Sequence, residues 1–207
     1  MNAAIDTVKQ AVRSVMRALA KHLDRLSRGT LTPNMVTIVG LLAHIPIAWL
    51  IATQHFYWAA GLLVVFGLFD TLDGELARLQ KRASPAGALL DSVTDRMKEI
   101  MLYTGAAWAI IAETGRPYLA VWAVAACGCA LLTSYVNAAG DVAVHKLGRT
   151  HATNKAFRGG LFPFEIRMFV LLVGLLADKL SLAVIIIALG AGATALARLQ
   201  RVLGTLR

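Results

Sequence analysis

Cysteine is nearly absent from this chain: two residues, Cys127 and Cys129, in 207. They lie two apart within one apolar segment, so on a helix they face different ways. Neither a disulfide framework nor a thiolate metal site follows, and two small, soft packing residues is the reading they support. Charge is scarce as well. Only 16% of residues are charged against 57% hydrophobic, with a mean hydropathy of +0.64, which excludes an ordinary soluble domain. Acids are the scarcer sign, 12 against 21 Lys and Arg, for a net charge of +9. No internal repeat or low-complexity tract stands out. No cleavable signal is expected either, since the first apolar stretch begins only after about thirty basic, amphipathic residues.

What is plentiful is apolar chain in helix-length runs. A spanning helix needs about 20 such residues, and six segments qualify, at roughly 35–54, 58–80, 85–111, 117–139, 161–177 and 180–198. The expected fold is therefore an all-α integral membrane protein. Six transmembrane helices fill residues 30–207, and an N-terminal amphipathic helix in residues 1–29 precedes them. In that first segment Ile5, Val8, Val12, Val15, Leu19, Leu23 and Leu26 recur at three- and four-residue steps, while Lys9, Arg13, Arg17, Lys21 and Arg25 step by four on another face. Such a helix suits the cytoplasmic interface, basic face toward anionic headgroups; a soluble partner helix is the alternative. Gly29 is expected to end it, and Pro33 falls early in the next helix, where a missing N–H costs least.

Six spans put both termini on one side. That side also holds Lys81, Arg82, Lys146, Arg149, Lys155, Arg158 and Arg201, whereas the opposite loops carry only Arg116 and Lys179. Cytoplasmic termini follow from the positive-inside rule, the cell (plasma) membrane is the expected location, and a one-sided basic surface explains the net charge through the lipid bilayer, without nucleic acid as a partner.

Against this apolar background, the stretch Asp70 to Asp95 stands out. Asp70 and Asp73 are three apart, Asp91 and Asp95 four apart, so on helices each pair shares a face. Ionisable groups at membrane depth are expensive, and crowded carboxylates repel. A divalent cation removes that penalty. All-oxygen ligands without nearby Cys or His favour magnesium or manganese (Mg2+ or Mn2+), with calcium a further option, over zinc, and this many acids suits two ions. Between the pairs, Gly74 and Ala77 leave room for a flat or bulky ligand and the fixed fork of Arg78 suits phosphate oxygens, which together suggest a pyrophosphate substrate.

The spacing reads Asp70-x₂-Asp73-Gly74-x₂-Ala77-Arg78-x₈-Gly87-x₃-Asp91-x₃-Asp95, eight fixed positions in 26 residues. It resembles the signature of the CDP-alcohol phosphotransferases (CDP-alcohol phosphatidyltransferases). Leu31-Thr32-Pro33-Asn34 is similar to the start of that family's first membrane helix. The resemblance implies phospholipid biosynthesis: a phosphatidyl group passes from CDP-diacylglycerol or a related CDP-lipid to an alcohol hydroxyl, and CMP is released. It further implies that Asp70, Asp73, Asp91 and Asp95 hold the metal ions, that Asp95 also acts as general base, and that Asn34, Asp73, Gly74, Ala77, Arg78 and Gly87 meet the CDP moiety. A homodimer is the expected assembly, and Gly190, Gly192 and Ala195 in the last span offer a close-packing face for a neighbouring helix or a second protomer.

LTPN and Ser134-Tyr135 resemble the branch making inositol-phosphate phospholipids, although Asn137, Ala139 and Asp141 stand where that branch carries Lys, Arg and Glu. The acceptor is expected to be a polar, phosphorylated polyol such as inositol phosphate or glycerol 3-phosphate. Ser134, Lys146, Arg149, Lys155, Arg158 and Arg167 are candidates to bind it, because phosphate recognition uses Arg and Lys. Two further charge groups stay open at this stage. Arg96, Lys98 and Glu99 either bind substrate phosphate or balance charge near the aspartates, and Glu165 with Arg167 either line a cavity or bridge to another helix. His44 is expected to bond a neighbouring carbonyl. An ion or solute carrier using intramembrane aspartates is the alternative function, but it leaves Gly74, Ala77 and Arg78 without a role. A nonenzymatic scaffold likewise leaves the ligand spacing idle.

Overall fold

A computed structural model of the chain describes the backbone of residues 2–146 and 162–206, and the side chains of 10–146 and 162–206. Every regular element among the described residues is helical: α1 (Asn2–Leu26), α2 (Pro33–Ala52), α3 (Phe56–Gly67), α4 (Phe69–Leu79), α5 (Pro85–Thr114), a 3-10 turn (Pro117–Ala120), α6 (Val121–Lys146), α7 (Phe164–Leu176) and α8 (Leu180–Leu206). Four stretches are long and apolar enough to cross a bilayer: Pro33–Ala52, Phe56–Leu79, Pro117–Lys146 and Leu180–Leu206. This is the pattern of a multi-pass membrane protein. Large side chains that would be buried in a soluble bundle point outward instead, Trp49 at 70% exposure among them, alongside Leu42, Val124 and Leu189.

Six spans are not all evident on length and apolarity. The expected third span corresponds to α5, which at 30 residues is about 45 Å long but carries Asp91, Asp95, Arg96, Lys98 and Glu99 in its first half. The expected fifth corresponds to α7, whose 13 residues rise only about 20 Å, short of the roughly 30 Å hydrocarbon core. The second expected span is broken at Leu68 into α3 and α4.

The chain forms two compact units, Met1–Ile47 with Gly61–Lys98, and Ala48–Ala60 with Glu99–Arg207. In the first, α1 docks on α4: Met16 and Ala20 are buried with Val36, Leu72 and Leu76, flanked by Val12, Leu23, Leu31, Leu68 and Phe69. One apolar stripe of α1 is thus taken by a helix of the same chain, while Val15, Leu19 and Leu26 stay exposed beside the basic face. The helix ends as expected: Gly29, at φ +77°, sits in the left-handed region and its N–H returns to the Asp24 carbonyl at 3.0 Å. Thr32 Oγ1 then accepts the Met35 N–H at 3.3 Å, and Pro33 begins α2. His44 Nδ1 lies 2.7 Å from the Gly40 carbonyl, the satisfied state expected of it.

In the second unit, α6 and α7 both pack on α8. Thr133 Oγ1 donates to the Ala191 carbonyl at 3.3 Å, and a Cβ added at Gly192 would lie 3.4 Å from Cys129 Sγ. A Cβ at Gly190 would strike the Phe162 ring. The small-residue face of α8 is therefore used within the chain, against α6 and Phe162, so of the two roles expected for it the neighbouring helix is the one observed. Both cysteines are free thiols, half-buried in α6.

Candidate active site: an aspartate cluster and its cleft

The site is carried by α4, α5 and the turn between them. Residues 80–84 turn the chain sharply, with Lys81 at φ +55° and the Arg82 N–H bonded to the Ala77 carbonyl at 2.9 Å. Gln80 pins this turn by donating to Asp24 Oδ1 at 2.7 Å and to the Leu31 carbonyl at 2.9 Å. Ser84 Oγ caps α5 by accepting the Gly87 N–H at 3.1 Å, and Pro85 opens the helix. At the other end of α4, the break at Leu68 is braced by Phe69, which meets Phe66 (ring centroids 4.9 Å apart) and closes on Gly40, where an added Cβ would lie 3.4 Å from Phe69 Cβ. Local capping and one close helix approach thus fix where both aspartate pairs point.

Three of the four aspartates converge. Asp70, Asp91 and Asp95 each place a carboxylate oxygen within 4.8 Å of the others. Lys98, 3% exposed, lies among them, donating from Nζ to Asp70 Oδ1 and to Asp95 Oδ1, the latter at 3.2 Å. Arg96 Nη2 stands 3.9 Å from Asp95 Oδ2. One ammonium and one guanidinium do not neutralise three carboxylates, and Asp91 Oδ1 is buried with no hydrogen-bond partner among the described residues. A buried anionic oxygen without a donor is costly. An all-oxygen set with a spare, inward ligand atom fits a hard divalent cation, so these residues suit a divalent ion. Asp73 is set apart from this trio: it is buried, and its Oδ2 accepts the Thr37 hydroxyl at 2.6 Å. The sequence pattern groups Asp73 with the other three, and what it does not reveal is Thr37, which comes from a different helix.

Asp73 and Asp91 form one wall of a cleft with about 180 Å³ of free space, completed by Asn34, Thr37, Gly74, Ala77, Arg78, Ser84, Gly87 and neighbours. Every position assigned to the CDP moiety lines it. A Cβ at Gly87 would sit 3.6 Å from Asn34 Oδ1, which shows how closely the start of α5 approaches α2. Arg78 folds back over Gly74, its Nη2 3.5 Å from where a Cβ there would be. It is held by Glu75 Oε1 at 2.7 Å, and Glu75 Oε2 accepts Arg17 Nε of α1 at 3.1 Å. Glu75 was not singled out in the sequence, because a lone Glu on an otherwise polar helix face carries no pattern.

The acceptor candidates divide. Arg149, Lys155 and Arg158 lie outside the described residues. Lys146 is exposed at the end of α6, and Ser134 Oγ donates to its own helix at Ala130, 3.4 Å away. Arg167 is buried, with Nε and Nη2 on Glu99 Oε1 at 3.1 and 2.8 Å and Nη1 on the Phe162 carbonyl at 3.2 Å. Of the open alternatives, then, Lys98 balances the aspartates and Arg167 bridges to another helix. Arg198 of α8 was missed. It is 8% exposed and its Nε lacks a partner among the described residues, although it falls in an apolar helix where any Arg should have drawn notice.

A helical membrane protein whose carboxylate cluster adjoins a phosphate-sized cleft with an Arg belongs in class with metal-dependent transferases of substituted phosphate groups. The family model for CDP-alcohol phosphatidyltransferase matches residues 30–196, and the chain belongs to that family. It is 31% identical over 169 residues to a phosphatidylinositol phosphate synthase of Corynebacterium glutamicum, covering 81% of this chain and 71% of that one. With the corresponding synthase of Mycobacteroides abscessus it is 30% identical, covering 72% of this chain and 64% of that relative's length. The fold is similar to crystal structures of the Mycobacterium tuberculosis phosphatidylinositol phosphate synthase. One has CDP-DAG bound (TM-score 0.76, 25% identity, covering 91% of this chain and 94% of that one), and another is in complex with manganese and citrate (TM-score 0.75, 25% identity, covering 93% and 92%). The chain is accordingly a CDP-alcohol phosphotransferase with a divalent-ion site.

Proposed function

We propose that the protein transfers the phosphatidyl group of CDP-diacylglycerol to a hydroxyl of a phosphorylated polyol, with inositol phosphate the leading acceptor and glycerol 3-phosphate the second, and releases CMP. The observation that carries this reading is the convergence of the signature residues on one cleft beside the Asp70, Asp91 and Asp95 trio. In this reading Arg78 binds the pyrophosphate with its fixed fork. Asn34, Gly74, Ala77 and Gly87 leave the cytidine and its phosphates space between α2, α4 and the start of α5. Asp70, Asp73, Asp91 and Asp95 would hold the divalent ions, which when bound would supply neutralisation of the pyrophosphate and of the departing CMP. Asp95 accepts the proton of the attacking hydroxyl. The new bond joins that oxygen to the lipid-bearing phosphorus, the bond broken is the one to the CMP oxygen, and the diacyl tails stay in the bilayer.

The phosphorylated acceptor is supported by the relatives being phosphatidylinositol phosphate synthases, by the basic residues Lys146, Arg149, Lys155 and Arg158, and by the Nε of Arg198, which has no partner among the described residues. The same reading takes α5 and α7 as the third and fifth of six spans. It lays α1 in the membrane interface, with Val15, Leu19 and Leu26 toward lipid, and sets both termini and the cleft on the cytoplasmic side of the plasma membrane. A homodimer is the expected assembly. Purified protein given CDP-diacylglycerol and a panel of acceptors tests the assignment. CMP release with inositol phosphate is expected to exceed that with unphosphorylated inositol, and equal rates would contradict a phosphorylated acceptor.

A further inference from the structure

We propose that Glu75, a position the family signature leaves unspecified, is a positioning residue for Arg78, and that through Arg17 it makes α1 part of the nucleotide-binding apparatus. This rests on the reading of the cleft as a CDP site. Glu75 is 4% exposed, and a buried carboxylate is tolerated only when paired. Its two oxygens are divided between two arginines, Oε1 taking Arg78 Nη2 and Oε2 taking Arg17 Nε. Both arginine side chains are themselves mostly exposed, 61% and 62%. An exposed Arg left alone samples many rotamers and must be ordered when a ligand binds; a buried anchor at one end removes most of that ordering from the binding step. Arg78 pairs only with Glu75 among the described residues and uses only Nη2 to do so, which leaves its Nε and Nη1 donors for phosphate oxygens. Two guanidiniums on one carboxylate leave the Arg17–Glu75–Arg78 group with one net positive charge, suited to a phosphate oxygen, where a simple one-to-one pair would have cancelled it.

Arg17 has a second effect. By holding Oε2 it keeps Glu75 from rotating away from Arg78, and Arg17 is itself placed by its neighbours Met16 and Ala20, which seat α1 on Leu72 and Leu76. A helix outside the signature thereby sets the pose of a residue inside it.

Calorimetric binding of CDP, with Mg2+, to the full-length protein in detergent micelles tests this. Glu75→Gln keeps the shape and one acceptor but loses the charge, and it is expected to raise the CDP Kd about tenfold, with Arg17→Ala raising it about threefold. Arg78→Ala is expected to weaken binding at least as much as Glu75→Gln, and adding Glu75→Gln to Arg78→Ala should weaken it no further, since the two act as one unit. Glu75→Asp, too short to reach both arginines, should show the same loss if the Gln variant does not fold. A structural staple alone would lower the melting temperature in all variants while leaving CDP affinity at the wild-type value, and that result overturns the proposal. So does a full additional loss from Glu75→Gln in the Arg78→Ala background. Wild-type protein that binds no CDP would instead overturn the reading of the cleft, and this proposal with it.

Discussion

Lys98 and Glu99 are adjacent in sequence, yet their charges meet opposite fates. Glu99, in the second unit, pairs with Arg167. One anion meets one cation, both fully buried, and the guanidinium also bonds the Phe162 carbonyl, so the charges cancel within the fold. In the first unit Lys98 meets Asp70 and Asp95, Arg96 stands by Asp95, and with Asp91 beside them the balance stays negative, Asp91 Oδ1 having no hydrogen-bond partner among the described residues. A buried charge in an apolar chain is therefore not by itself a functional site. An uncompensated cluster next to a cleft is the candidate for one, because there the fold leaves electrostatic work for a ligand.

That contrast is broken most severely at the aspartates. Asp70→Asn, Asp73→Asn and Asp91→Asn should each abolish turnover while the protein still inserts, since each removes a ligand charge; wild-type rates in any purified variant would contradict the site. Asp95→Asn should lose roughly 10²–10⁴-fold in turnover while metal and CDP-diacylglycerol still bind. If excess Mg2+ restores the rate instead, Asp95 is a ligand and not the base. In the other unit the same kind of change should appear as stability, not chemistry. Glu99→Gln strands the Arg167 charge and is expected to cost about 3–5 kcal/mol, read as a lower melting temperature, and pairing it with Arg167→Met should recover part of the loss. An unaltered melting temperature would mean the pair is not buried as described. The smallest effect is steric: at Gly105 a Cβ would run into the Ala48 carbonyl, so Gly105→Ala should cost about 1–3 kcal/mol and leave the CDP Kd unchanged.

The cleft was legible in the sequence because its chemistry is local. Six of the eight signature positions line it, and the other two, Asp70 and Asp95, complete the trio beside it, all within two helices and one short turn. Pairings across long sequence separations were not legible: Thr37 on Asp73, Arg17 on Glu75 and Arg167 on Glu99 each depend on which helices become neighbours, and periodicity does not encode that. The docking of α1 shows the same limit. Its amphipathic pattern announced an apolar face, but that Met16 and Ala20 meet α4 needed the fold. The span count rests on hydropathy, and two of its six runs, 85–111 and 161–177, are not confirmed by length and apolarity: the charges at the start of α5 are plain in the sequence, whereas the 13-residue length of α7 appears only once the helix limits are drawn.

The central claim is that the carboxylate cluster works only when a divalent ion answers its excess charge. The direct measurement is CMP release from CDP-diacylglycerol and inositol phosphate, by wild-type protein and Asp91→Asn, in exhaustive chelator and across a titration of Mg2+ or Mn2+. Wild-type protein should be silent in chelator and regain full activity as metal is restored, with Asp91→Asn silent throughout. Undiminished CMP release in chelator would contradict the account.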